Sequence, residues 1–581
     1  MKKSLPLLSF EFASSSGVIK PLTFNNPIEI IIANTVEEVL PCFDLIEKAI
    51  QDGYYVAGYM SYECAPAFDP AFKVKSGNKM PLVWFGVFNE PKLETVKSDG
   101  AYKNLKWTST VSEKDYQNSI KLIKQWIGQG TTYQTNYTIR LKSNFQGDDI
   151  TLYNTLKRAQ VSNYCAYINT GEYSILSASP ELFFHLKEDK IITRPMKGTL
   201  KRGRNIKEDE ANRNELYYSE KNRAENVMIV DLLRNDLNVI AIPGTVQVEK
   251  LFEIEDYPTV HQMTSTITAK IKESTKLLEI FRALFPCGSI TGAPKISTME
   301  AIEKLEKEPR EVYCGAIGYI TPEREAIFNV PIRTVVIDQQ TNQATYGVGG
   351  GITWDSTSED EYQEVLAKAS LLEVKRPEFQ LLESLLLDNG EYFLIEEHLD
   401  RLFSSAKYFK YPINMENVKN HLQKSLQLHQ QGTYKTRLLI DLKGEVMINT
   451  QPIELQSYDT PVLITLADEP VSKDNIFLYH KTTNRDVYTK FQKRFPDVFD
   501  VLLWNEDREL TEFTNGNAVL EMEDGLWTPS IESGLLAGTY REQLLKEGRI
   551  QEKILTMEDL KNCTNIWFVN SVRKWVKVKL I

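Results

Sequence analysis

The chain has few of the residues that metal and redox chemistry draw on. Its 581 residues include six cysteines and six histidines. Cys42, Cys64, Cys165, Cys287, Cys314 and Cys563 are scattered with no C-x-x-C pair, which excludes a disulfide framework and a cysteine zinc site and fits a reducing cytoplasm. No apolar run reaches membrane-spanning length, so no membrane association is expected. The opening MKKSLPLLSFEF has too short an apolar stretch for a signal peptide and is broken by Glu11, so it reads as a first strand. Positive charge is also scarce. Lys plus Arg total 68 against 79 for Asp plus Glu, a formal net charge of −11, which argues against a nucleic-acid partner. An anionic ligand must therefore be held by local groups. What remains is an ordinary soluble composition, 42% hydrophobic and 25% charged, in a chain long enough for two to four domains.

No repeat or low-complexity tract interrupts the sequence. The clearest boundary lies near Arg376-Pro377, after the acidic-capped helix pattern SEDEYQEVLAKASLLEV. Beyond it, Asp388-Asn389-Gly390 marks a hairpin turn between two apolar runs. The division predicted is 1–375 and 376–581. In the first part, Ser112 with Asp115 predicts a capped helix whose apolar face is Tyr116, Ile120, Ile123 and Ile127. Short runs such as YCAYINT, YSILSAS and ELFFHL predict a largely antiparallel sheet, and a long helix is predicted from about Tyr217 to Leu233. The pattern is α+β.

Two glycine-rich stretches carry no standard phosphate signature. CGSITGAPK lacks the Gly-Lys-Ser/Thr order, and no helix opens directly after the glycines of YGVGGGITWDS. Both still let backbone amides approach an anion closely. Glu361 and Glu364 share a helix face, and Glu225 lies on the long helix. Helix-end complementarity explains Glu359, Asp360 and Glu361 but not Glu364, and Mg²⁺ prefers carboxylates from separate elements. TRPMKGTLKRG is dense in cations, and a lysine crowded by like charge has a lowered pKa and serves as a nucleophile, which singles out Lys197.

Taken in order, YQTNYT (133–138), SPELFF (179–184), TRPMKGT (193–199), AENVMIVDLLRND (224–236), FPCGSITGAPK (285–295), YCGAIGY (313–319), IRT (332–334), GGGITWDS (349–356) and EYQEVLAKA (361–369) resemble the chorismate-utilising enzymes. The resemblance implies a two-sheet sandwich flanked by helices, with chorismate and Mg²⁺ in the cleft. Members that add water have a lysine base at the position of Gln134, so the nucleophile implied here is ammonia. Anthranilate-forming members have alanine where this chain has Lys197. Lysine there is the mark of members that make 4-amino-4-deoxychorismate through a covalent adduct. By the same resemblance Glu181 is the acid for the departing hydroxyl and His261 lies near it. Arg333, Tyr313, Ser289, Gly349 and Gly351 bind substrate carboxylates, and Glu225, Glu364 and Glu361 hold Mg²⁺. Asn222 and Asn226 depart from the family pattern. The Leu-Leu-Glu-Ser at 381–384 lies beyond the domain boundary and reads as a coincidental match to a regulatory motif, so tryptophan regulation is not expected.

In the second part, HLDRL (398–402), LYHKTTNR (478–485), LTEFTNGNAVL (510–520) and ESGLLAGTYREQLL (532–545) resemble the class IV, fold-type IV pyridoxal-phosphate enzymes. That resemblance implies pyridoxal 5'-phosphate anchored on Lys481, with Glu512 at the pyridinium nitrogen. Arg401 and Thr539, with backbone amides near Asn515 and Gly516, would hold the phosphate, and a homodimer is the family habit. The motifs are shared by aminotransferases and lyases. NSVRK (570–574) and the fusion itself point to a lyase that releases pyruvate and leaves 4-aminobenzoate. The chain has no glutaminase signature, so a separate glutamine amidotransferase is expected to supply ammonia. Two rival readings stand beside this one. An anthranilate-forming domain joined to an aminotransferase is opposed by Lys197. A non-catalytic second domain is opposed by the joint presence of Lys481, Glu512 and Arg401.

Overall fold

The computed structural model describes residues 6–14, 17–370, 372, 377–455 and 460–581. The expected boundary at 375/376 lies outside the described residues, as do the first five residues of the opening segment. The chain divides into two compact units, Met1–Arg202 with Asn212–Arg376, and Pro377–Ile581 with Gly203–Ala211. Nothing in the sequence signals that the short segment Gly203–Ala211 groups with the second unit.

The first unit is built on two antiparallel sheets. Gln134–Asn144, Gln343–Ile352, Thr334–Asp338, Tyr173–Ser179, Tyr164–Asn169, Leu7–Ala13 and Ile19–Asn25 follow one another across the first sheet. The second runs Met196–Lys201, Val260–Lys270, Lys190–Arg194, Leu182–Lys187, Ala326–Asn329, Ala316–Ile320, Tyr55–Met60, Val83–Phe88 and Glu29–Ala33. Alternation along a strand places Leu8, Phe10 and Phe12 on one face. There they meet Tyr59, Trp84, Phe88, Ile317 and Ile327 from the other sheet, so this cluster fills the space between the sheets. Helices cover the outer faces. Glu113–Gly128 is capped by Ser112, whose hydroxyl accepts from the Asp115 amide, and it buries Tyr116, Ile120 and Ile123 as the spacing predicts.

The long helix differs from expectation. Ile206–Tyr218 and Glu220–Asn238 are separate helices, because Ser219 takes an extended conformation and caps the second by accepting from the Asn222 amide. Tyr217 therefore lies in the last turn of one helix and does not begin the next.

The second unit has a four-stranded antiparallel sheet, Glu391–Tyr392, Leu381–Asp388, Thr433–Ile440 and Val446–Pro452, joined by helices Ile395–Phe409 and Met415–Leu428. Asn389 and Gly390 have φ of 48° and 83°, the left-handed pair that a tight hairpin requires. An eight-stranded sheet follows, in which an extra pairing of Leu510–Phe513 with Gly516–Met522 closes the sheet on itself. The turn of that hairpin is Thr514-Asn515, since Gly516 already pairs with Phe513, so the expected turn at Asn515-Gly516 shifts by one residue.

Candidate active sites

Lys197 lies on the strand Met196–Lys201, one residue before Gly198 at φ 102°. Asn226 donates to the Lys197 carbonyl at 3.3 Å and accepts from Ser265 Oγ at 2.6 Å, which ties this strand to Val260–Lys270. The expectation of a lysine crowded by like charge is not met. Its ammonium lies 3.6 Å from the Glu225 carboxylate, an ion pair that the basic stretch around it gave no sign of. Gln134 sits beside it, fully buried, with neither amide atom hydrogen-bonded. Gly351 makes room for both. A Cβ there would fall 2.1 Å from Gln134 Nε2 and 2.3 Å from Lys197 Nζ.

Glu181 is 3% exposed and accepts from Ser289 Oγ at 2.6 Å. Burial pushes its carboxyl up to about 7, although Ser289, Lys197 and Arg333 pull the other way. A carboxylic acid that holds its proton near neutrality suits general acid work. Arg333 stands at φ 51° between two strands, donates to Gln160 Oε1 at 2.8 Å, and is near enough to feel Glu181. Tyr313 is buried with its ring against Gly347 and with Arg140 on the ring at 5.1 Å. His261 pairs across the strands with Leu200, and its Nδ1 bonds Asp256 at 2.8 Å.

The expected metal carboxylates come from the helices Glu220–Asn238 and Ser358–Ser370. A Cβ on Gly350 would lie 3.3 Å from Glu361 Oε2 and 3.5 Å from Glu364 Oε1, so these two oxygens face one point. Burial, and then the charge of Glu364, raises the Glu361 carboxyl. Lys368 pairs with Glu364 at 2.6 Å and donates to the Gly349 carbonyl at 2.9 Å. Among the described residues no three of His, Cys, Asp or Glu gather as a closed ligand set, so the expected trio does not meet in this structure. The donors are nonetheless right in kind, since two hard carboxylate oxygens facing one point, from buried Glu361 and exposed Glu364, suit a Mg²⁺ ion.

In the second unit Lys481 follows a short helical turn and lies against the strand Leu381–Asp388, whose Leu382 amide donates to its carbonyl at 3.1 Å. Burial, and then the charge of Arg401, brings the amine down to about 7. Glu512, 4% exposed, accepts from Tyr488 Oη at 2.7 Å and from the Leu536 amide at 3.2 Å, and burial pushes it up to about 7.

A residue dismissed in the sequence organises the rest. Glu383, of the Leu-Leu-Glu-Ser at 381–384, accepts from Arg401 at 2.9 and 2.6 Å and from His398 Nδ1 at 2.7 Å. Burial opposes its charge, but Arg401 and His398 outweigh burial and bring the carboxyl down to about 2. Arg401 in turn donates to the Ala537 carbonyl at 3.0 Å, and Thr539 Oγ lies 3.2 Å from His398 Nε2. Because burial favours neutral His398 and its Nδ1 proton goes to Glu383, Nε2 is the acceptor and Thr539 the donor. Glu383 thus fastens both ends of Ala537-Gly538-Thr539, where the helix Thr539–Lys546 begins. A Cβ on Gly538 would lie 2.0 Å from Asn517 Oδ1. A helix start with a guanidinium beside it, near a half-buried lysine of lowered pKa, fits pyridoxal phosphate. The expectation for Asn515 and Gly516 concerns their backbone amides, and the Asn515 side chain is engaged elsewhere. It donates to Asp500 at 3.1 Å and accepts from Arg485 at 3.3 Å, and Gly516 packs against Phe568.

Residues 91–373 match the family described as chorismate binding enzyme, and residues 380–581 match amino-transferase class IV. Aminodeoxychorismate synthase component 1 of Salmonella typhimurium is 40% identical over 264 residues, 45% of this chain and 58% of that protein. Anthranilate synthase component 1 of Aquifex aeolicus is 35% identical over 280 residues, 48% of this chain and 56% of that protein. The chain therefore spans less than two thirds of the length of these relatives. The crystal structure of anthranilate synthase component I from Streptococcus pneumoniae covers 64% of this chain and 91% of its own, with a TM-score of 0.52 at 23% identity, a likeness of fold alone.

Proposed function

We propose, from the premise that residues 91–373 belong to the chorismate binding enzymes and residues 380–581 to the class IV amino-transferases, that the chain converts chorismate and ammonia to 4-aminobenzoate and pyruvate. The observation that carries this reading is Lys197 standing beside the buried, neutral Gln134 amide, with Glu181 protonated near neutrality.

In the first step the Lys197 amine attacks C2 of the ring, the double bonds shift, and the C4 hydroxyl leaves as water with a proton from Glu181. Ammonia then attacks C4 and expels Lys197, giving 4-amino-4-deoxychorismate. Two substitutions replace one difficult one. Lys197 must shed its proton before it attacks, and its ion pair with Glu225, 3.6 Å away, holds the amine in place. Gln134 has no basic group with which to activate water, so ammonia reaches C4 without that competitor. Arg333 and Tyr313 would orient the substrate carboxylates, and the half-buried guanidinium suits that role by its forked geometry. Magnesium held by Glu225, Glu361 and Glu364 would supply charge neutralisation at a carboxylate. A separate glutamine amidotransferase subunit would supply the ammonia.

In the second step the C4 amine of the intermediate would be presented beside Lys481, the residue that would hold pyridoxal phosphate. Pyridoxal phosphate, once bound, would supply an electron sink for deprotonation at C4. Lys481, with its amine near pKa 7, removes the C4 proton and returns a proton to the departing pyruvate enol. Glu512 would hold the ring nitrogen of the cofactor, and Arg401 and Thr539 its phosphate. Backbone amides near Asn515 and Gly516 would complete the phosphate site.

The test is product analysis by chromatography after incubation with chorismate, Mg²⁺, ammonium and pyridoxal phosphate. 4-Aminobenzoate with pyruvate supports both halves. Accumulation of 4-amino-4-deoxychorismate keeps the first half and removes the second, and anthranilate overturns the role given to Lys197.

A further inference from the structure

The serine that meets Glu181 is itself held from behind by residues to which the chemistry above gives no part. Ser289 lies in the short helical turn Gly288–Ile290, next to Ile290 and with the Cys287 thiol 3.2 Å from its hydroxyl. The Ile290 carbonyl accepts two hydrogen bonds, from Asn136 Nδ2 at 3.0 Å and from Arg310 Nη1 at 2.7 Å. Asn136 stands on the strand Gln134–Asn144, and its amide donates to the Thr291 carbonyl at 2.8 Å. One residue therefore grips the turn at two successive carbonyls. Gln134 and Asn136 are two apart on this strand and share a face.

Arg310 closes the clamp. Its Nη2 donates to the Asn136 carbonyl at 2.8 Å and to Glu306 Oε1 at 2.7 Å, and its Nε donates to Glu306 Oε2 at 3.1 Å. Glu306 also accepts from the Thr138 amide at 3.0 Å and from Thr138 Oγ1 at 2.7 Å, on the strand that carries Asn136. The Arg310 amide donates to Glu63 at 2.7 Å. Asn136, Arg310, Glu306 and Glu63 are all buried. A buried arginine with a glutamate partner is commonly a strut of the fold. Here the two prongs of the guanidinium end on the backbone of Ile290 and of Asn136, one residue from Ser289 and two from Gln134.

We infer that Asn136 and Arg310 are positioning residues for the first step: gripping the Ile290 carbonyl from two elements, they set Ser289 where its hydroxyl donates to Glu181. Both act on the acid through Ser289. That hydroxyl fixes the orientation of the carboxyl and favours its ionised form. Lys197, Arg333 and the Met196 amide also face Glu181 and act in the same sense, and the Cys287 thiol lies close by. Without the clamp the carboxyl would keep its proton to higher pH. The inference rests on the reading of Glu181 as the acid for the C4 hydroxyl.

The test follows chorismate consumption by the full chain at saturating ammonium between pH 5 and 9, with thermal unfolding measured beside it. Ser289→Ala sets the scale and should move the falling limb near pH 7 upward by roughly half to one pH unit. Asn136→Ala leaves Arg310 and Glu306 paired, and Arg310→Lys keeps the charge beside Glu306 without the fork. Each should lower kcat about tenfold and move the limb the same way. In Asn136→Ala/Ser289→Ala the limb should stay where Ser289→Ala puts it. Where one of the two clamp variants does not fold, the other decides. A limb unmoved in Ser289→Ala or in the folded clamp variants, whatever their loss of stability, would overturn the inference, as would a shift that adds to that of Ser289→Ala. A limb retained in Glu181→Gln would overturn the reading on which it rests.

Discussion

Glu383 and Arg401 form a two-pronged ion pair, at 2.9 and 2.6 Å, in which the carboxylate is 1% exposed and the guanidinium 14%. His398 completes the group, and through these two partners a single carboxylate sets the position of the loop at Gly538.

Replacing Glu383 with Gln should therefore strike the cofactor site without touching the cofactor. It leaves a buried cation without its counter-charge, a loss of about 3 kcal/mol in the stability of the second unit. Affinity for pyridoxal phosphate should fall with it. Thermal unfolding and spectral titration check the two effects, and an unaltered titration would mean that Arg401 holds its place unaided.

Lys481→Ala should abolish the visible absorbance of bound cofactor while leaving the amination of chorismate intact. In the wild type, the neutral amine is the form that captures pyridoxal phosphate. Because the pKa is lowered to about 7, the capture rate should rise tenfold per pH unit below that value and level off above it. Stopped-flow absorbance between pH 5 and 9 reads this, and a rate still climbing at pH 9 would contradict it.

Glu181 should show the opposite sign. Its carboxyl, raised to about 7, donates a proton below that pH and loses the ability above it, so the first step should slow as pH rises through 7. Glu181→Gln should lower kcat by about 10²–10⁴ and flatten that limb of the profile. Consumption of chorismate at saturating ammonium is the measurement.

Lys197→Ala should leave folding intact and stop formation of 4-amino-4-deoxychorismate. The Glu225 partner loses its ion pair at a half-buried position, so thermal stability should change by no more than about 1 kcal/mol. Mass spectrometry of the wild type quenched during turnover without ammonia should find a substrate-derived adduct on Lys197 that the variant lacks.

Much of the architecture was legible because it rests on local rules. The Ser112 cap, the Asn389-Gly390 hairpin and the alternation of Leu8, Phe10 and Phe12 each follow from neighbours in sequence. The site residues of the first unit were legible through their motifs, yet their partners were not. The stretch around Lys197 is basic in sequence, but the residue that meets its amine is Glu225 from a helix that begins 23 residues later. Asn226 appeared as a mere departure from pattern and proves to hold the Lys197 backbone. Glu383 was set aside for lying in the wrong half of the chain. A buried ion pair between a strand and a helix, 18 residues apart, leaves no periodic trace. Such roles depend on tertiary contact, which neither composition nor spacing encodes.

The glycines of Gln343–Ile352 divide by what stands opposite them. A methyl group on Gly349 would strike the Tyr137 carbonyl at 2.1 Å, a backbone atom in the neighbouring strand that has no room to move. On Gly351 it would meet only the ends of two flexible side chains. An alanine scan scored by cellular abundance would flag the first and pass over the second, while a scan scored by growth without 4-aminobenzoate would flag both. The gap between the two scores at position 351 would then map the part of this strand kept bare for ligand and not for the sheet.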